Sequence, residues 1–177
     1  MLKIFSTQLS GIFKKMMDNE AFEMEDAGRL LAQAAVGDGS IFIQGFGEMQ
    51  GVTAEAMDGA EPFPKAKRYE HGETISREDR FLIFSRKSDD SEALKLAKAL
   101  KEKDIPFVAV STSAATDEDS LTELADVHID LRIHRGLIPD EAGNRYGYPT
   151  LIAALFAYYG IKFTLEEIIQ EYQNEED

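Results

Sequence analysis

The sequence predicts an α/β domain with a parallel sheet and a ligand crevice along the strand ends. Three observations lead there. The short apolar runs Ile41–Ile43, Phe81–Phe84 and Phe107–Val110 have the continuous hydrophobicity of strands buried on both faces. Stretches with helical spacing separate them. The first two runs also lead directly into turns that open those helices, Gly45-Phe46-Gly47-Glu48 and Ser85-Arg86-Lys87-Ser88-Asp89-Asp90-Ser91. A strand that gives way to a helix at such a turn directs free N–H groups at whatever binds there, typically an anion such as phosphate.

Residues 3–36 carry helical spacing, with Phe5, Leu9, Ile12, Phe13 and Met16 followed by Ala27, Leu30, Leu31 and Ala34. Asp18-Asn19-Glu20 predicts an interruption or bend, and Gly37-Asp38-Gly39 a stop. This helix is expected to contribute to a homodimer interface, the competing reading being that it covers one sheet face. After the first strand comes a helix from Met49 to Met57, a turn at Pro62 and Pro64, and a short second strand at Ala66–Tyr69. Phe81–Ser85 is the third strand. Ser91–Lys103 is an amphipathic helix with Ala93, Leu94, Ala97 and Leu100 inward. Ile105–Val110 forms the fourth strand and ends in Ser111-Thr112-Ser113. Thr116 to Asp119 reads as a capping box for a helix to Ala125. Val127–Arg132 alternates as a fifth strand, and a polar loop with Pro139 and Gly143 follows.

A helix should start near Pro149, and Thr164-Leu165-Glu166-Glu167 should cap another that runs to Tyr172. The apolar stretch 151–159, flanked by Tyr146 and Tyr148 and containing Tyr158 and Tyr159, suits core on one side and subunit interface on the other. A tyrosine-lined pocket is the sharper alternative. No repeat or linker divides the chain. The expectation is one domain over 1–177, with a helical segment at 1–36, a sheet core at 38–132 and C-terminal helices at 148–173.

Composition narrows the partners. Thirty-three acidic residues against 19 basic give a net charge of −14, which disfavours nucleic acid and anionic membrane. The one basic cluster, Lys65-Ala66-Lys67-Arg68, suits a small anion or a solvated edge strand. No cysteine is present, so disulfides and thiolate metal sites are excluded. The first eight residues lack a signal peptide's apolar region, and no apolar run approaches the roughly 18 residues of a membrane span. A cytoplasmic location is expected.

The candidate ligand-binding residues follow from the strand-end turns: Gly45, Gly47, Glu48, Ser85, Lys87, Ser88, Ser111 and Thr112. Each has a plainer reading, as turn glycine, helix-dipole partner, cap or solvated loop. Glu48, at the start of the helix, is a candidate base, its plainer role being a favourable contact with the helix dipole. His71 and His134 read as loop histidines, and the direction of His128 cannot be read from its strand. No HxxxH spacing suggests a metal site, and no Gly-x-Ser-x-Gly suggests a serine hydrolase. No cofactor is expected. Gly45-x-Gly47-x-x-x-Gly51 keeps NADP open, because Lys67 and Arg68 stand where a 2′-phosphate would be held.

The order of these segments carries a family resemblance. The first strand with its Gly-x-Gly turn, then Asp79–Arg86, Ala109–Thr112 and Leu124–Val127, resembles the sugar isomerase (SIS) domain over about residues 38–132. The flanking helices are placed as in phosphoheptose isomerases. Gly136–Asp140 and Asn144–Pro149 are similar to a small uncharacterised Bacillota family of SIS-like proteins. The resemblance implies a three-layer, Rossmann-like sandwich with a five-stranded parallel sheet, a phosphorylated sugar ligand and a dimer. It also marks departures. Met49 stands at the family's first phosphate-binding Ser, and Lys87, Ser88 and Asp90 replace the Ser, Gly and Thr of its second loop. Phosphoheptose isomerases carry a catalytic carboxylate on the helix after Gly-x-Gly, for which the resemblance makes Glu55 or Asp58 the candidate, and a histidine on the C-terminal helix that has no counterpart in 151–159. The resemblance therefore implies sugar-phosphate binding without standard isomerase chemistry, with a divergent isomerase as the alternative and a ligand-free interaction protein below it.

Overall fold

Five strands form the main sheet, three of them carrying the long apolar runs, and all of them pair in parallel. The structure is a computed structural model and describes residues 1–115 and 119–176. In chain order the elements are α1 (Leu2–Val36), β1 (Ile41–Gly45), a 3-10 turn (Gly47–Met49), α2 (Gln50–Asp58), β2 (Ala66–Arg68), β3 (Arg80–Lys87), α3 (Ser91–Glu102), β4 (Phe107–Thr112), α4 (Leu121–Leu124), β5 (Val127–Asp130), β6 (Ile138–Pro139), β7 (Arg145–Tyr146) and α5 (Thr150–Glu176). The main sheet runs β2-β1-β3-β4-β5, and β6 and β7 form a small antiparallel hairpin.

Alternation along each strand divides the core between two helical layers. Ile41, Ile43, Leu82, Phe84, Val108, Val110 and Ile129 face α1, α2 and α5. Phe42, Phe81, Ile83, Phe107 and Ala109 face α3 and α4. This is the expected three-layer α/β fold. Because β1 is followed in space by β2 on one side and β3 on the other, the chain reverses direction across the sheet between β1 and β3. A crevice opens at such a switch point, at the carboxyl ends of the strands.

Several elements differ from the sequence expectation. Asp18-Asn19-Glu20 does not interrupt α1. Glu20 turns inward, 4% exposed, and its carboxylate accepts from Arg132 Nε at 2.9 Å, Arg132 Nη2 at 2.7 Å and the Asp130 amide at 3.1 Å. With its acid paired, the helix continues. The two expected C-terminal helices are one, α5. Thr164 does not cap; its hydroxyl donates back to the Gly160 carbonyl at 3.3 Å. Gly160 does not break the helix either, because a Cβ there would stand 2.7 Å from Met24 Sδ, so the glycine admits α1.

On α3 Leu96 is buried beside Ala93, Ala97 and Leu100, while Leu94 packs half-buried against the same cluster. β3 continues two residues beyond Ser85, whereas β5 stops at Asp130, and Arg132 takes a left-handed φ of 56°. The helix before Ala125 is the single turn α4, and the capping box placed on Thr116 lies outside the described residues except for Asp119. Among the described residues, no helix is long and apolar enough to cross a membrane.

Candidate functional site

The switch-point crevice is built by two turns. After β1, the chain folds tightly onto the start of α2. A Cβ on Gly45 would lie 2.1 Å from the Met49 carbonyl oxygen, and the Gly45 amide donates to Thr53 Oγ1 at 2.9 Å. The Phe46 amide extends the ladder to the Phe84 carbonyl at 2.9 Å. Gly47 then takes φ +56° with no atom within 4 Å of its Cβ direction, so this glycine is open where Gly45 is closed. Met49 is fully buried and belongs to the core, so it offers no polar group to the crevice.

The second turn follows β3. Phe46, Gly47, Glu48, Arg86, Lys87, Asp89 and Asp90 enclose about 320 Å³ between the two turns. Arg86 crosses the mouth and pairs with Glu48 through its Nε. That hydrogen bond from Arg86 is the main cause that holds the Glu48 carboxyl below its ordinary value, against a smaller opposing effect of burial. The same bond pushes the guanidinium up. Asp90 is the N-cap of α3, its Oδ1 accepting from the Glu92 amide at 3.1 Å and the Ala93 amide at 2.9 Å. Lys87 is exposed beside it.

The crevice thus brings together Gly47, Glu48 and Lys87 of the sequence candidates, with Gly45 forming the turn beneath. The remaining candidates lie elsewhere. Ser88 is fully buried and ties three segments: its amide donates to the Thr112 carbonyl at 2.9 Å, its Oγ accepts from the Ala114 amide at 2.8 Å, and its carbonyl accepts from the Leu121 amide at 2.8 Å. Thr112 Oγ1 accepts from the Ile133 amide at 3.3 Å. Ser111 Oγ lies 2.8 Å from His128 Nε2. Burial holds the His128 imidazole below its ordinary value, with Asp130 opposing. A serine against a neutral histidine suggests a nucleophile, yet Ser111 is fully buried and no substrate reaches it. Ser85 is also fully buried, and its Oγ has no partner among the described residues.

Glu55 faces away from the crevice. Its carboxylate accepts from the Tyr159 hydroxyl at 2.8 Å, across α2 and α5. Asp58 pairs with Arg68, and Lys65 Nζ donates to the Gly37 carbonyl at 2.7 Å. Lys67 sits 6.0 Å from the centre of the Phe42 ring. The basic cluster is therefore divided among three partners instead of converging on an anion. Gly51, the third glycine of the dinucleotide-like spacing, makes room for α5, since a Cβ there would stand 3.0 Å from Leu151 Cδ2. His134 is exposed in the segment after β5. Among the described residues, no group of three or more His, Asp or Glu is placed to hold a metal ion.

Sequence reasoning missed the Glu48–Arg86 pair as a unit and the buried ammonium of Lys162. Lys162 is 1% exposed and lies 3.3 Å from Glu166 and 3.5 Å from Glu61. The four-residue spacing of Lys162 and Glu166 was the available signal for that pair. No local signal joins Glu48 to Arg86, which are 38 residues apart.

A family model described as a domain of unknown function, DUF2529, matches residues 1–169. A Bacillus subtilis (strain 168) relative, the uncharacterized protein YwjG, is 46% identical over 173 residues, 97% of this chain and 99% of its own. Among solved structures, E. coli CFT073 c3406 in complex with a sugar phosphate superposes with a TM-score of 0.66 at 14% identity, covering 96% of this chain and 89% of that one. Methanococcus jannaschii MJ1247, whose structure was taken to infer a 3-hexulose-6-phosphate isomerase, gives 0.60 at 18% identity over 97% and 90%. At these identities the likeness shows the fold, the SIS-type sandwich of phosphosugar-isomerase-like proteins.

Proposed function

The chain belongs to the DUF2529 family, and from that premise we propose that it binds a phosphorylated sugar or related derivative in the switch-point crevice without standard isomerase chemistry. The observation that carries the reading is the pairing of an open, left-handed Gly47 with the cations Arg86 and Lys87 across that crevice. Lys87 supplies a point charge for phosphate, and the turn at Gly47 lets the ligand approach the backbone. That c3406, which shares the fold, was solved with a sugar phosphate is consistent with this.

Aldose–ketose isomerisation needs one group to move a proton between adjacent carbons and another to service the oxygens. Among the described residues, the carboxylates lining the crevice are Glu48, paired with Arg86, Asp90, which caps α3, and Asp89, and no histidine lines it. A binding or regulatory module fits this set better than the alternative, a divergent phosphoheptose-isomerase-like enzyme completed by a dimer partner. The proposal takes residues 1–177 as one SIS-like unit. The homodimer part of the reading rests on the outer face of α1 and α5, where Met17, Phe22 and Phe163 are more than half exposed beside a groove of about 590 Å³.

Thermal unfolding against a panel of sugar phosphates tests the reading. A ligand at a hundred times its dissociation constant stabilises by about 2.7 kcal/mol. We expect a shift with one sugar phosphate that is absent in Lys87→Ala; a panel without any shift would refute binding. Exchange of the C2 proton of that ligand with solvent deuterium would favour the enzyme.

A further inference from the structure

Phe46 lines two concavities. One is the crevice; the other is a pocket of about 370 Å³ formed with Gln44 at the end of β1, Tyr69 and His71 after β2, and Lys95 and Leu96 on α3. Its volume lies within the roughly 300–1,000 Å³ of small-molecule sites, and its walls are mostly apolar with a few polar groups, as such sites are. Three of those residues carry flat rings. The Tyr69 ring is fixed by near edge-on contacts with Phe42 (6.3 Å, 87°) and Phe81 (5.3 Å, 69°), so this wall is set before any ligand arrives. Polar atoms border the rings: the Gln44 amide, the His71 imidazole, and the Lys95 ammonium held by Glu92 at 2.6 Å. None of these residues takes part in the crevice's phosphate contacts proposed above.

We infer that this pocket takes the planar heteroaromatic ring of a ligand whose phosphate lies in the crevice, so that the ligand class is a nucleotide-linked sugar or a free nucleotide. Flat rings stack on flat rings, and a base carries donors and acceptors on its edge; the Gln44 side chain, whose Nε2 already donates to the Gly45 carbonyl at 3.0 Å, still offers its carbonyl oxygen and a second N–H to such an edge. Phe46 is a wall of both concavities, and in this proposal one ligand reaches across it. The net charge of −14 disfavours a nucleic-acid strand as the source of the ring. The inference rests on the crevice reading and narrows it.

Amide chemical-shift mapping on the ¹⁵N-labelled full chain tests it with three probes. These are a hexose 6-phosphate, a nucleoside without phosphate, and the matching nucleoside 5′-diphosphate. The nucleoside is expected to move the amides of Phe46, Tyr69 and Leu96, and the hexose phosphate those of Gly47 and Lys87. The diphosphate should move both sets and bind at least tenfold more tightly than either. Ala99, exposed on α3 and part of the pocket wall, allows the pocket to be filled from outside. Ala99→Phe should remove the nucleoside shifts and weaken the diphosphate about tenfold, while the hexose phosphate binds as before. Tyr69→Leu should act in the same direction. Unmoved Phe46, Tyr69 and Leu96 amides with either nucleoside probe, or an unchanged diphosphate affinity in Ala99→Phe, would overturn the inference and leave the crevice reading intact. If neither phosphate moves Gly47 or Lys87, the crevice reading falls and this inference falls with it.

Discussion

The turn after β1 and the turn after β3 share one topology and differ in how their polar groups are used. After β1, the tight contact is backbone on backbone at Gly45, and the next glycine is left open. After β3, Ser88 ties three segments together and Asp90 caps its own helix. One turn leaves space at the crevice; the other holds the fold together and supplies charge from Arg86 and Lys87. The same strand–loop–helix pattern thus offers the crevice an open backbone position at Gly47 after β1 and exposed cations after β3.

Substitutions at the glycines should break this contrast most strongly. Gly45→Ala places a Cβ 2.1 Å from backbone oxygen and is expected to cost about 3 kcal/mol or more. Gly47→Ala meets no atom and bears only the left-handed strain, about 1–2 kcal/mol. Denaturant unfolding of both variants checks the order, and equal losses would erase the distinction. Ser88→Ala leaves the half-buried Ala114 amide without its acceptor and should lower stability by about 1–2 kcal/mol. A sugar-phosphate titration of that variant should give an unchanged affinity, because Ser88 does not line the crevice; a large loss would move Ser88 into the site.

Asp90→Ala sharpens the comparison from the other side. Loss of the N-cap should cost about 1 kcal/mol, yet it frees two α3 amides and removes a negative charge from the crevice. Phosphate binding should therefore tighten while the melting temperature falls, a combination that calorimetry and thermal melts read together. The smallest effect is expected at His128. Burial depresses its folded pKa below the ordinary 6.5, so the fold favours the neutral ring. That contribution is complete above about 6.5 and is lost as pH falls through the folded value. Melting temperatures of wild type and His128→Gln, followed from about pH 8 to pH 5, should converge toward the acid end. A constant gap would show that the imidazole does not titrate against folding.

The fold was legible because buried parallel strands must be apolar without interruption, and 41–43, 81–84 and 107–110 are. Helix continuity was not. Asp18-Asn19-Glu20 has the composition of a break, and it takes Arg132 and the Asp130 amide, more than 100 residues away from Glu20, to make it a helix interior. Thr164-Leu165-Glu166-Glu167 has the composition of a cap, and nothing local distinguishes a threonine that caps from one that bonds back to the preceding turn. In the candidate site, Gly45, Gly47, Glu48 and Lys87 could be found because a turn's residues are consecutive. The engagement of Ser88, Ser111 and Thr112 depends on partners 17 to 33 residues distant, so their burial could not be read.

The most direct test is isothermal titration of a hexose 6-phosphate into wild type and Lys87→Ala. Lys87 is exposed, and its replacement should change stability by no more than about 0.5 kcal/mol. The account predicts saturable binding to wild type and at least tenfold weaker binding to the variant at an unchanged melting temperature. Equal affinity in the two proteins, or no binding to either, would contradict it.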